Sequence, residues 1–213
     1  MENDRGKTEM WYIVDADEDA EIICGLADGI DNAAFCNALQ KGELMSALKI
    51  QKVHRGETYF IPAGLLHAIG KGILIAEIQQ NCDLTYRVYD YDRRGADGSL
   101  RQLHIDKACD VIRPFEENEI DAIRYSRELP ISRESVLADC EYFRVEKLEL
   151  RKNAHTLSPN GYLRHLLVIE GEGTIECDSM LYPFCRGNSI LLPASLDNST
   201  LTGDGTVLIS TAY

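Results

Sequence analysis

A histidine closes the most regularly spaced string in the sequence. Gly56, Pro62, Gly64 and His67 stand in the order G-x5-P-x-G-x2-H. Gly56 supplies the backbone freedom of a turn, Thr58–Ile61 reads as a strand, and Pro62 ends ladder pairing. The imidazole at the end of such a string is a candidate metal ligand, although a lone histidine in an apolar strand is more often a satisfied core residue. Near the start, Lys7 and Glu9 are two residues apart, so on a strand they share a face. Asp83 and Arg87 are spaced by four. Asp83 can equally cap a turn, and Arg87 can pair with Asp90 or Asp92 at the surface. Tyr86, Tyr89 and Tyr91 are expected to pack.

The elements that must hold these residues follow from hydrophobic period. Met10–Val14, Ala20–Cys24, Thr58–Ile61, Ile73–Ile78 and Tyr86–Tyr91 read as strands. Asp31 reads as the N-cap of a helix carrying Phe35 and Leu39, and the helical pattern resumes past Gly42 at Leu44, Met45 and Leu48. Ile105, Ala108, Cys109 and Ile112 share one face of a short helix that Pro114 stops. A polar stretch, Glu116–Glu134, marks the domain boundary. Beyond it, Tyr142–Leu150, Leu166–Ile169, Thr174–Cys177, Ser189–Leu192 and Thr206–Ser210 are short strands at even spacing, as in an antiparallel sandwich or barrel. Gly171-Glu172-Gly173 reads as a hairpin turn. Gly187–Ser195 repeats Gly56–Gly64, with Ser195 where Gly64 stands and Asn198 where His67 stands.

Composition removes several functional classes. The 213 residues carry 22 Lys+Arg against 35 Asp+Glu, a formal charge of −13, with no basic run. Such a chain is repelled by nucleic acid and anionic lipid. No apolar run reaches the roughly 18 residues of a membrane span, and the polar start MENDRGKTEM has no apolar core of a signal peptide. The seven cysteines are scattered and form no CxxC pair, so a cysteine zinc site is not expected. Reduced thiols in the cytoplasm are the default expectation, most of them small core residues. His155 and His165 read as structural or surface residues.

The string ending at His67 resembles the second signature motif of the cupin superfamily, with Lys71 where the family's last position is usually Asn. The flanking segments sharpen this. Gly6-Lys7-Thr8-Glu9-Met10-Trp11-Tyr12, then PAGLLHAIGKG, then the run from Ile78 through Asn81-Cys82-Asp83-Leu84-Thr85-Tyr86-Arg87 to Arg93, then Leu103-His104-Ile105-Asp106-Lys107-Ala108 closely resemble type I mannose-6-phosphate isomerase in its shorter bacterial form. The resemblance runs in order through residues 6–112 and continues more weakly beyond. It implies an all-β fold of two cupin-type jelly rolls with a few short helices. The catalytic domain is residues 1–113, incomplete, with a helical insertion at about 31–49. A linker spans 114–134, and a smaller metal-free domain spans 135–213.

The resemblance also implies roles. Glu9 and His67 become zinc ligands, Lys7 an active-site lysine, and Asp83 and Arg87 acid/base and substrate-contacting residues. The family's other ligands lie in a Q-V-H-P segment that is not in this sequence, which begins as if the first third were missing, Met1-Glu2-Asn3-Asp4 resembling the middle of a family loop. The implied reaction interconverts mannose 6-phosphate and fructose 6-phosphate through a cis-enediol. That chemistry requires an acid/base group and an electrophile for the developing oxyanion, which Zn2+ supplies. The dianionic phosphate requires Lys or Arg. With two protein ligands rather than the usual three or four, the chain is expected to hold zinc weakly and turn over poorly. The alternative expectation is a non-catalytic sugar-phosphate-binding cupin, or a fragment of a split gene. Neither nucleic acid nor membrane is an expected partner.

Overall fold

A computed structural model describes residues 5–91, 93–127 and 135–213. The expected resemblance at Met1–Asp4, the expected pairing of Arg87 with Asp92, and the end of the expected linker fall outside these residues. The chain divides into two compact units, Met1–Asp121 and Ala122–Tyr213.

The first unit is built on strands β1 (Glu9–Ala16), β2 (Glu21–Leu26), β3 (Leu48–Lys52), β4 (Thr58–Ile61), β5 (His67–Ile69) and β6 (Ile73–Gln79). They form two three-stranded antiparallel sheets, β4-β1-β6 and β3-β2-β5. β1 is a central strand buried on both faces, and so it is apolar almost without interruption from Met10 to Val14. One face sends Trp11 and Ile13 into a core shared with Ile22 of β2 and Ile61 of β4, so the two sheets pack face to face. Asp31 caps helix α1 (Asn32–Lys41) by accepting from the Ala34 amide at 2.8 Å, and Gly42 ends it in the left-handed conformation. Helix α2 (Ile105–Val111) packs with α1 over a second core of Phe35, Leu48, Leu66 and Ala108. Helix α3 (Glu117–Arg124) lies in the stretch that the sequence suggests is a plain linker.

The second unit holds β7 (Val136–Asp139), β8 (Phe143–Arg151), β9 (His155–Leu157), β10 (Arg164–Cys177), β11 (Met180–Cys185), β12 (Ser189–Leu192) and β13 (Ser199–Ala212). Its sheet runs β11-β10-β13-β8-β7, with β12 on β10 and β9 on β13. Leu166, Val168, Ile175, Leu201, Val207 and Ile209 fill its core.

The architecture is all-β with short helices, as expected, and three local expectations are corrected. Leu48 opens strand β3 rather than continuing a helix; only a 3-10 turn, Leu44–Ala47, precedes it. Tyr86–Tyr91 is a loop, because its backbone is tied to His104 and Arg93 instead of a neighbouring strand. Gly171-Glu172-Gly173 is not a hairpin turn. Gly171 and Gly173 sit inside the unbroken β10, facing Gly205 and Gly203 of β13.

The internal repeat is real in three dimensions. The Gly56 amide donates to Ile13, whose amide donates to Glu57; the Gly187 amide donates to Val168, whose amide donates to Asn188. Both glycines have positive φ, 89° and 85°. β1 and β10 each carry a register shift just after the residue concerned, at Ile13/Asp15 and Val168/Glu170. The equivalence sets Glu9, paired with Ile61, against Arg164, paired with Leu192.

Candidate functional site

Glu9 opens β1 and His67 opens β5, so the two side chains meet from opposite sheets of the first unit. The turn before His67 depends on the spaced motif. The Leu65 amide donates to the Pro62 carbonyl at 3.1 Å. Gly64, at φ 91°, lets the chain approach α2 so closely that a Cβ there would lie 2.9 Å from the Val111 carbonyl. The turn aims the Leu65 carbonyl at His67 Nδ1, 2.8 Å away. A carbonyl only accepts, so Nδ1 carries the hydrogen and Nε2 is the nitrogen left to face Glu9.

Nε2 lies 2.9 Å from Glu9 Oε1, and Glu9 is 1% exposed. A carboxylate oxygen only accepts, so this approach is held together by a proton on Nε2 or by a metal cation between the two atoms. Lys7 Nζ lies against Glu9 Oε2, 3.5 Å from Glu77 Oε1, and donates to Gln79 Oε1 at 3.2 Å. Burial alone would raise the Glu9 carboxyl, but the bonds from His67 and Lys7 outweigh it and hold it below its ordinary value. Burial likewise opposes the Lys7 ammonium, and Glu9 and Glu77 outweigh it, so Lys7 stays charged. Burial and the Glu9 charge push Glu77 up. Trp11 meets the His67 ring edge-on at 5.3 Å, and its buried Nε1 has no partner.

A carboxylate and an imidazole held by a backbone carbonyl are the right kind of donors for zinc. They fall short in number: among the described residues, no cluster of three or more His, Cys, Asp or Glu is placed to hold a metal.

Lys7 and His67 line a cavity of about 970 Å³ that also takes in Arg87, Arg93 and Arg101. Asp90, buried at 6% exposure, gathers these three. Its Oδ1 lies 2.9 Å from Arg93, 3.3 Å from Arg101 and 3.4 Å from Arg87. Arg87 also donates to the Gln102 carbonyl at 3.3 Å. The pairing of Arg87 with Asp90 that the sequence suggests for the surface thus occurs on a cavity wall. Three guanidiniums on one carboxylate leave that wall positive in a protein of charge −13.

Lys7, His67 and Arg87 therefore line one cavity, with Glu9 buried against Lys7 and His67, whereas Asp83 is exposed and lies outside the lining. Read from sequence, Arg93 and Arg101 have no part in the site, and Asp90 has only a surface pairing with Arg87. The signal was the density of charge in Arg87–Arg101, but only the folded loop shows that one acid holds three bases. In the second unit, the positions of Glu9 and His67 are held by Arg164 and Asn198, neither of them a zinc ligand.

Residues 133–212 match the family profile of the mannose-6-phosphate isomerase cupin domain. The chain is 38% identical over 205 residues to mannose-6-phosphate isomerase ManA of Bacillus subtilis, covering 96% of this chain and 64% of that protein. It is 32% identical over 209 residues to mannose-6-phosphate isomerase of Streptococcus mutans, covering 98% and 65%. The crystal structure of the Bacillus subtilis mannose 6-phosphate isomerase superposes with a TM-score of 0.80 at 33% identity, over 96% of this chain and 64% of that one. The chain thus spans a little under two thirds of the relatives it matches.

Proposed function

We propose that this chain, a member of the type I mannose-6-phosphate isomerase family of the cupin superfamily, binds mannose 6-phosphate and fructose 6-phosphate in the cavity of its first unit, as the sugar-binding part of that isomerase. The observation that carries this reading is the arginine wall on Asp90 facing the same cavity as Lys7 and His67, both of which contact Glu9. A dianionic phosphate complements guanidinium forks in geometry and charge.

Glu9 and His67 are the residues that would hold a zinc ion. When bound, it would supply Lewis acidity at the sugar's carbonyl and hydroxyl oxygens. Lys7, kept charged by Glu9 and Glu77, places an ammonium proton beside that position and stabilises negative charge developing on a sugar oxygen. Proton transfer between C1 and C2 through a cis-enediol is part of the same proposal. Asp83, exposed and outside the cavity, is given no step in it. With two protein donors, zinc is held weakly and turnover falls far below the ~10 per second typical of enzymes. A cytoplasmic location follows from the sugar-phosphate substrates and belongs to the same proposal.

Calorimetric titration with fructose 6-phosphate tests the reading. Saturable binding that Arg87→Ala weakens and His67→Ala spares is expected; absence of binding by the folded chain would overturn it. The two-donor count also favours a second reading, a non-catalytic sugar-phosphate-binding module. A coupled assay on the zinc-supplemented chain decides between them, since any turnover proportional to bound zinc excludes the second.

A further inference from the structure

Two cysteines that the sequence leaves 73 positions apart come together in the first unit. Cys36 of α1 and Cys109 of α2 are bridged, with Cα atoms 5.9 Å apart, inside the range a disulfide spans without moving backbone. For this pair the bridge departs from the reduced thiols expected by default. The pair is half-buried and flanked by Phe35 and Ala108, which are fully packed. A second fastening runs beside it: the Asn32 side-chain amide, at the first position of α1, donates to the Cys109 carbonyl at 2.7 Å and to the Ile112 carbonyl.

The bridge joins elements that bound the cavity. Ala108, Val111 and Ile112, on and just after α2, line it, and so do Leu44 and Met45, which follow α1. We propose that Cys36 and Cys109 form a reversible thiol–disulfide clamp that locks α1 onto α2 and thereby fixes one wall of the cavity. The chemistry is ordinary exchange with a small disulfide such as oxidised glutathione. One cysteine thiolate attacks a sulfur of that disulfide, breaking its S–S bond and expelling one thiolate. The second cysteine thiolate attacks the resulting mixed disulfide and expels the other. Two electrons pass from the cysteines to the small disulfide, which leaves as two thiols carrying the two cysteine protons. With the bridge open, the Asn32 bonds and apolar packing hold the helices together, and these are contacts that local opening can break.

The test needs no knowledge of what the cavity binds. The full chain is equilibrated in oxidised or reduced glutathione, quenched with acid, alkylated and digested without reduction. A linked peptide pair containing Cys36 and Cys109 is expected in the oxidised sample, lost in the reduced one. It is lost also in Cys36→Ala and Cys109→Ala, and kept in Cys185→Ser. Backbone amides of 32–41 and 105–111 should exchange hydrogen at least about tenfold more slowly in the oxidised chain. Failure to form the pair at any glutathione ratio overturns the proposal, as does a pair that reduced glutathione cannot open. Equal exchange in the two forms overturns the clamping role. The comparison of oxidised with reduced natural chain stands even if an alanine variant fails to fold.

Discussion

At the scale of single residues, the two donors of the candidate metal site divide their duties from the arginines. His67→Ala removes an imidazole whose Nε2 meets Glu9. Zinc affinity should fall well beyond the roughly 10–100-fold cost of losing an outer-shell partner. Arg87→Ala should leave zinc uptake unchanged and weaken fructose 6-phosphate by about 1.5–3 kcal/mol, the range for hydrogen bonds to charged groups. Zinc determination and calorimetry on both variants check this; equal zinc loss in the two would dissolve the distinction. Cys24 gives an independent check of burial. Burial pushes its thiol up to about 11, so at neutral pH it is almost wholly protonated. It should alkylate far more slowly than the exposed Cys185, and peptide mapping after a short alkylation pulse would read the ratio. His67 could be found in the sequence because a turn, a strand end and a close approach each demand one residue type at one spacing. Asp90 could not, because its role depends on where a loop carries Arg87, Arg93 and Arg101, and no period encodes that.

At the scale of elements, strands with clean alternation and capped helices were readable. Thr58–Ile61 and Ser189–Leu192 have the bounds expected of them, and Asp31 caps α1. The failures have one cause in common. Tyr86–Tyr91 has the composition of a strand but finds no partner edge, and β10 contains glycines that look like a turn. Those glycines exist because the β10 and β13 backbones press together there. A Cβ on Gly171 would lie 1.8 Å from the Asp204 carbonyl, at a φ of 85°. Gly171→Ala should therefore destabilise the second unit by about 2–4 kcal/mol, through clash and backbone strain together. Urea denaturation followed by circular dichroism measures it, and a loss under about 0.5 kcal/mol, the surface range, would show that the strands simply part. Near the end of β13, Tyr213 donates to Asp139 at 3.0 Å. Burial, then this bond, pushes the phenol up to about 12. The folded unit thus favours the protonated phenol. The stability it contributes is whole below the ordinary tyrosine value near 10 and is lost as pH rises toward 12. Tyr213→Phe should flatten stability against pH in that window, and an unchanged slope would assign the loss to other groups.

At the scale of the whole molecule, a formal charge of −13 and a positive cavity wall belong together. An acidic exterior disfavours nucleic acid and anionic membranes, and no helix of the described residues is long and apolar enough to cross a bilayer. The arginines on Asp90 are then a local exception that admits a small anion while the bulk surface rejects large ones. The share of fructose 6-phosphate binding that comes from the partly buried Arg87 should weaken with added salt less than the share from the exposed Arg93 and Arg101, because partly buried charges are less screened.

The strand order of the second unit has a consequence for how the chain is made. β13 lies between β10 and β8, and it also pairs with β9, yet it follows all three in sequence. On the ribosome β8 and β10 emerge first, and neither has the other as a neighbour. Each must wait with an open edge until residues 199–212 clear the exit tunnel. Their apolar inner faces, Leu148 and Leu150 on one strand and Leu166 and Val168 on the other, wait with them. Synthesis therefore passes through an interval in which this unit has most of its core residues but only two separate pieces of sheet, β7–β8 and β11–β10–β12, to hold them. In that interval chaperone capture and aggregation compete with folding.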